Sequence, residues 1–288
     1  MKLGCSTSAF HQLDLYGALQ HIAWAGFDGA ELASIVPARH LELNTDQSYI
    51  DGVKASAMKQ GLQLFAIHSE EEGETDEENI KLLAKLCDVA HKLSIPIVAP
   101  FIRRKASDKE EIKENFKYIG KLGEQAESRG ITLAIGIHAG TPVGNTDMAL
   151  RMLDELDSPA LGINLDTREL YKAGEDPSEA VLKLGKKIVH VYFRDYPFRQ
   201  QSGATPEQEI PGRSEVDFPK ILRRLKDVEY GGVIDVMLEG VWTYPLTKEL
   251  GIPKGNIPAN AWTYPVSRQM GMVAEARGYL NRCIQEVK

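Results

Sequence analysis

The sequence predicts a single (β/α)8 barrel, and three observations lead to that fold class. Short apolar runs alternate with amphipathic stretches, and eight such pairs can be counted along the 288 residues. The apolar runs are continuous, which is typical of parallel strands that are covered by helices. The turn after the first run reads Ser6-Thr7-Ser8, without the glycine-rich pattern of a doubly wound dinucleotide-binding sheet. Eight units in a chain of this length therefore favour a closed barrel.

The predicted strands are the apolar runs, most of which end on a polar or charged residue. The sixth run is representative, because Leu161–Leu165 ends on Asp166 and a polar turn then leads to a helix that opens with Asp-Pro. Pro96 and Pro100 interrupt the fourth run. In chain order the strands are predicted at residues 2–5, 29–32, 63–68, 95–102, 132–138, 161–166, 188–195 and 232–239.

Helices are predicted between the strands, where apolar residues recur at helical spacing. Asp46 is a suitable N-cap for the second helix and Gly61 suits its C-terminus. Pro177 stands at an early helical position, where its missing N–H costs nothing. In chain order the helices are predicted at residues 13–25, 46–60, 76–93, 108–128, 147–156, 177–185, 217–228 and 267–286.

We predict one domain over residues 1–288, with an irregular insertion at about residues 240–266. That insertion is rich in proline and contains two Trp-Thr-Tyr-Pro repeats. Its aromatic side chains can stack on the C–H faces of a sugar or pack against a second subunit. We expect a lid at the barrel mouth, held by contacts in a dimer.

Composition excludes several classes of protein. Hydrophobic residues make up 43% and charged residues 26%, and the net charge of −7 comes from well-mixed acids and bases. Because no basic stripe is present, a nucleic-acid partner is disfavoured. The three cysteines are far apart, which fits a reducing compartment, and neither a signal peptide nor a membrane span is predicted. We therefore expect a cytoplasmic protein.

Chemistry in such a barrel is expected where the strands end, because the loops that follow them form the active site. Carboxylates and histidines gathered there are the material of a divalent metal site or an acid–base pair. The predicted strand ends carry Glu31, His68, His138, Asp166, Arg194-Asp195 and Glu239.

Four segments carry a resemblance to a known family. They read GINLDTRELYKAGEDP at 162–177, IVHVYFRD at 188–195, PGRSEVDFPKIL at 211–222 and YGGVIDVMLEG at 230–240. Together they resemble the xylose isomerase-like sugar isomerases and epimerases, a family that includes ketose 3-epimerases and inosose-processing enzymes. The resemblance covers nearly the whole chain and implies the same barrel fold. It also implies a divalent ion, often manganese, held by a Glu, an Asp, a His and a Glu on strands five to eight, with the two glutamates moving the proton.

The resemblance transfers only in part to this chain. Asp166 and Glu239 match the Asp and Glu of strands six and eight, and both are expected to bind the metal. The strand-five Glu falls on Gly136 and the strand-seven metal His on Tyr192, which puts the Mn²⁺ or Mg²⁺ ion in doubt. The substrate-binding His that follows the Asp falls on Glu169.

Three interpretations remain open. In the first, Asp166, Glu239 and Glu169 still gather a hard ion, with help from His138 or His190. In the second, Glu239 or Glu169 acts as a metal-free base while Arg194 or Arg168 stabilises charge. In the third, the barrel is no longer catalytic and binds a carbohydrate or a partner. Mouth carboxylates that face each other are costly without a use, which favours the first two.

The sequence thus predicts an isomerase or epimerase that moves a proton next to the carbonyl of a small polyhydroxylated substrate. A lyase or dehydratase on the same scaffold is the alternative within enzymes, and a homodimer is implied by the family. Glu239 and Glu169 are the predicted catalytic residues. The predicted substrate-binding residues are His68, His138, Arg194, Arg199 and Trp242. His190 is expected to be a buried, hydrogen-bonded histidine, and Asp195 to orient a loop or an arginine.

Overall fold

The computed structural model describes residues 1–35, 38–102, 104–106, 108–197, 206–238 and 265–287. Eight parallel strands close into a barrel in which each strand pairs with its neighbour in sequence and the eighth pairs with the first. The strands are β1 Lys2–Ser6, β2 Gly29–Ser34, β3 Gln63–Glu70, β4 Ile97–Phe101, β5 Thr132–Gly136, β6 Leu161–Asp166, β7 Ile188–Phe193 and β8 Val233–Val236. The predicted (β/α)8 barrel is confirmed.

Helices follow the strands and cover the outside of the barrel. They are α1 Leu15–Trp24, α2 Gln47–Gln60, α3 Asp76–Leu93, α4 Lys109–Glu127, α5 Thr146–Leu156, α6 Thr167–Lys172, α7 Pro177–Leu184, α8 Phe218–Asp227 and α9 Val266–Glu286. The main hydrophobic core lies between these helices and the outer faces of the strands. Within the described residues, none of the helices is both long enough and apolar enough to cross a membrane.

The polar segment after Asp166 differs from the sequence prediction. It was expected to be a turn, but it forms the short helix α6. The carboxylate of Asp166 accepts hydrogen bonds from the backbone N–H groups of Arg168 and Glu169, and so caps the helix. This cap fixes the direction in which the next side chains point from the barrel rim.

The inner faces of the strands determine which side chains meet inside the barrel. Residues two apart along a strand share a face, and the strand pairing places Tyr192 beside both Asp166 and Asp235. His190 lies one layer below Tyr192 on the same inner face. Glu31 on β2 is fully buried and reaches both of these side chains across the barrel. The interior therefore holds a polar layer beneath its mouth.

Candidate active site

A pocket of about 390 Å³ lies at the C-terminal ends of β3 to β7, which is a volume suited to a small molecule. It lies where active sites of this fold class form. Four predicted site residues line it, namely His68, His138, Glu169 and Arg194. Other lining residues are Glu70, Phe101, Asn164, Arg168, Lys172 and Tyr192.

The ring of His138 occupies the space above Gly136. A Cβ atom added to Gly136 would lie 2.5 Å from Nε2 of His138, so any larger residue would displace the ring. Phe101 packs edge-on against the imidazole, with ring centroids 4.9 Å apart. The absence of a side chain at position 136 therefore allows His138 to enter the pocket.

Glu169 contacts His138 from the first turn of α6. Its Oε2 lies 3.5 Å from Nδ1 of His138. The second ring nitrogen, Nε2, is on the side of the imidazole away from Glu169. Arg168 and Lys172 also bind the Glu169 carboxylate, at 2.7 Å and 3.1 Å. Burial works to raise the pKa of Glu169, but the hydrogen bond with His138 and the charge of Arg168 outweigh it and hold this pKa well below its usual range. Glu169 is thus a firmly ionised partner of His138 and, in this state, a weak base.

Asp166 is bound by protein groups on both of its oxygens. Oδ1 accepts the two backbone N–H groups of α6, and Oδ2 accepts Nε of Arg194 at 2.9 Å together with a second guanidinium nitrogen. Both side chains of the Asp166–Arg194 pair are almost completely buried. The role of Asp166 as a metal ligand stays a prediction, and these contacts weigh against it.

Asp195 anchors the chain that follows β7. Its carboxylate accepts the backbone N–H groups of Tyr196, Gly212, Ser214 and Val216 at 2.8–3.0 Å. Burial raises the pKa of Asp195, against the four hydrogen bonds that favour its charged form. The geometry agrees with the expected loop-orienting role.

Beneath the pocket, Glu31, His190 and Asp235 form a fully buried cluster. His190 Nε2 lies 3.2 Å from Glu31 Oε1, and the hydroxyl of Tyr192 donates to the same oxygen at 2.7 Å. Burial and the charge of Glu31 raise the pKa of Asp235 well above its usual value. Burial works to raise the pKa of Glu31 too, but the hydrogen bond with His190 makes the net shift downward.

Asp235 is not among the site residues predicted from the sequence. It is a lone acid inside the apolar run VIDVML, and its signal was its position on the inner face of β8. Asn164 was missed too, although it precedes Asp166 by two residues and so faces inward as well. Lys172 lies one helical turn after Glu169, but its approach to the pocket depends on α6, which the sequence did not predict. Three predicted residues, Glu239, Arg199 and Trp242, lie outside the described residues, as does most of the predicted insertion.

Comparison with known proteins decides the family. The family described as xylose isomerase-like TIM barrel matches residues 19–255. The chain belongs to this family. The resemblance inferred from the four sequence segments is thereby confirmed.

Sequence relatives within the xylose isomerase-like family carry the name inosose dehydratase. One from Clostridium perfringens strain ATCC 13124 is 24% identical over 242 residues, which cover 77% of this chain and 81% of the relative. Another, from C. perfringens strain 13, is 26% identical over 144 residues, which cover 46% of this chain and 48% of the relative. In that second comparison the match spans about half the length of the curated relative.

Solved structures of the same family share the fold. The IolI protein with a bound zinc atom has a TM-score of 0.76 at 17% identity. The match covers 100% of this chain and 99% of the IolI chain. A probable 3-DHS dehydratase, AsbF from Bacillus anthracis, has a TM-score of 0.75 at 17% identity, covering 98% and 99% of the two chains. D-psicose 3-epimerase from Clostridium cellulolyticum H10, solved with D-tagatose, has a TM-score of 0.74 at 15% identity and covers 99% of each chain.

Among the described residues, three positions match the metal ligands of the xylose isomerase-like family, and their side chains are poorly suited to an ion. Gly136 offers no ligand atom, and Asp166 is bound by Arg194. The hydroxyl of Tyr192 donates to Glu31, and burial raises its pKa well above the usual value. Glu239 lies outside the described residues. We therefore derive no catalytic step through an ion at the mouth.

Proposed function

We propose that this barrel catalyses proton transfer next to the carbonyl of a small polyhydroxylated compound, with loss of water as the net reaction. The observation that carries this proposal is the His138–Glu169 pair in the mouth pocket. In the family pattern, a glutamate on strand five moves the proton of the substrate, and this glutamate stands at the position of Gly136. Here a histidine fills the space left by glycine at that position, and an ionised carboxylate lies against its far nitrogen.

Histidine is suited to this role because its imidazole takes up and releases a proton near neutral pH. Nε2 of His138 is the atom assigned to remove the proton from the carbon beside the carbonyl. The electron pair of that C–H bond forms a C=C bond, and the C–O bond to the neighbouring hydroxyl breaks. The same nitrogen can return its proton to the departing hydroxyl, which leaves as water. Atoms and charge balance without any further reactant.

The charged groups of the pocket favour the intermediate of this reaction. Negative charge develops on the carbonyl oxygen when the proton leaves, and groups that stabilise such charge lower the barrier. Arg168, Lys172 and Arg194 all line the pocket. Glu169, in turn, lies against Nδ1 and orients the imidazole, as the acid partner of a catalytic histidine does.

Dehydration needs fewer groups than epimerisation. Epimerisation by the family route uses one glutamate on each face of the substrate, and position 136 carries no such group. A single acid–base residue is sufficient for loss of water. The inosose dehydratase relatives agree with this choice.

Isomerisation or epimerisation, which the sequence alone favoured, is the second candidate. The observation that favours it is Glu239, which matches the strand-eight glutamate and would supply a second base. A D-psicose 3-epimerase of the same fold supports keeping it. Carbohydrate binding without catalysis is the third candidate function. The absence of both proton exchange and water loss in the following experiment would favour it.

The experiment is to incubate the full chain in D₂O with inosose, 3-DHS and D-psicose, and to follow the substrates by proton NMR. We expect a dehydrated product from one of the two cyclic ketones. Deuterium exchange with a new epimer and no loss of water would establish the epimerase instead. If none of the three exchanges a proton or loses water, proton-transfer catalysis on this class of substrate is excluded.

A further inference from the structure

The buried cluster of Glu31, His190 and Asp235 lies one layer below the floor of the mouth pocket. Each residue offers one ligand atom, and these atoms all lie within 4.8 Å of one another. All three side chains are almost completely excluded from solvent. The cluster is distinct from the family metal position, which falls on Gly136, Asp166 and Tyr192 in the layer above.

Three carboxylate oxygens in the cluster receive no hydrogen bond from an N–H group or a hydroxyl of the described residues, and the Asp235 carboxyl lies against that of Glu31. They are Oδ1 and Oδ2 of Asp235 and Oε2 of Glu31. Buried acceptors without donors are costly, and two charged carboxylates in one dry site repel each other, so either a proton shared by Asp235 and Glu31 or a bound cation must relieve the repulsion. Arg194 influences Asp235 through its charge, but its guanidinium binds Asp166. A cation between the two carboxylates would satisfy the free oxygens and balance both charges.

The remaining contacts hold the ligand atoms in place. His190 packs edge-on against Tyr192, with ring centroids 4.7 Å apart, and its Nε2 is directed at Glu31. The hydroxyl of Tyr192 donates to Glu31 Oε1. Hydrogen bonds of this kind orient carboxylate ligands in metal sites.

We infer that Glu31, His190 and Asp235 bind one divalent transition-metal ion inside the barrel. One imidazole nitrogen with carboxylate oxygens suits Zn²⁺ or Mn²⁺ better than Mg²⁺, which prefers oxygen ligands and retained water. Because the strands and Tyr192 enclose the site, the ion has a structural role beneath the pocket and no position open to substrate. The inference is independent of the proposed dehydration.

The test is calorimetric titration of the chelator-treated full chain with ZnCl₂, MnCl₂ and MgCl₂. We expect one equivalent of Zn²⁺ to bind, at least about tenfold more tightly than Mg²⁺. Asp235→Asn is expected to weaken Zn²⁺ binding by about 100-fold or more, because it removes a charged ligand. The matched variant Asp166→Asn changes the carboxylate of the family position and is expected to leave the Zn²⁺ stoichiometry unchanged.

Two results would overturn the inference. One is binding of less than about a tenth of an equivalent of Zn²⁺ to the wild-type chain. The other is loss of binding in Asp166→Asn with retention in Asp235→Asn, which places the ion at the mouth. If Asp235→Asn does not fold, anomalous scattering from zinc-soaked wild-type crystals is used to locate the ion. A peak between residues 31, 190 and 235 supports the inference, and a peak elsewhere or none contradicts it.

Discussion

Replacing His138 with glutamine is expected to lower kcat for the dehydrated substrate by roughly 10²- to 10⁴-fold. Glutamine retains hydrogen-bonding capacity but cannot take up and release the proton. KM is expected to change by only a few fold, because the rest of the pocket is left in place. Steady-state kinetics together with the rate of deuterium exchange in D₂O measure both effects.

Two further variants make this prediction specific. His91→Gln is the matched control, because His91 lies outside the pocket, where its Nδ1 is 3.0 Å from the carbonyl oxygen of Arg129. It is expected to retain wild-type kcat. Glu169→Gln is expected to lower kcat by more than about tenfold with little change in KM, as the loss of a positioning carboxylate does. Retention of more than half of kcat in His138→Gln would show that another group moves the proton.

Arg194→Met is expected to lower the free energy of unfolding by about 3–5 kcal/mol. Arg194 and Asp166 are almost completely buried against each other, so the variant leaves the Asp166 carboxylate in the interior without its cation. The backbone cap of α6 still binds Oδ1, but the arginine contacts to Oδ2 are lost. Urea unfolding at neutral pH measures the change.

A surface ion pair provides the control for this measurement. Arg129 binds Asp88 at 2.7 Å, but half of the Asp88 side chain is exposed. Arg129→Met is therefore expected to cost less than about 1 kcal/mol. The double variant Asp166→Asn with Arg194→Met is expected to regain part of the lost stability, because it removes the uncompensated charge. A loss below about 1 kcal/mol in Arg194→Met would mean that water or another cation reaches Asp166.

The barrel was predictable from the sequence because its strands and helices follow local patterns. Continuous apolar runs and helical spacing identify each element, and the C-terminal ends of parallel strands meet at one rim. That rule also brought His68, His138 and Arg194 into the same predicted site, and the family resemblance added Glu169. The boundaries were less predictable, since β5 was expected to continue to residue 138 but ends at Gly136.

The pairing of side chains was not predictable in the same way. Arg194 follows Asp166 by 28 residues, and nothing local indicates that the two strands place them in contact. The cap that turns residues 167–172 into a helix depends on the conformation of Asp166, which the strand imposes. Asp235 was overlooked because the alternation of side chains along β8 shows only that it faces inward, and no spacing in the sequence links it to Glu31. It becomes visible only when barrel closure places it across from Glu31.

The most direct test of the account is a crystal structure of the full chain with the alcohol obtained by reducing the substrate carbonyl. We predict that the ligand lies in the mouth pocket, with the carbon that loses its proton within about 3.5 Å of Nε2 of His138. A ligand bound in the pocket with that carbon turned away from His138, and facing a different acid or base, would contradict it.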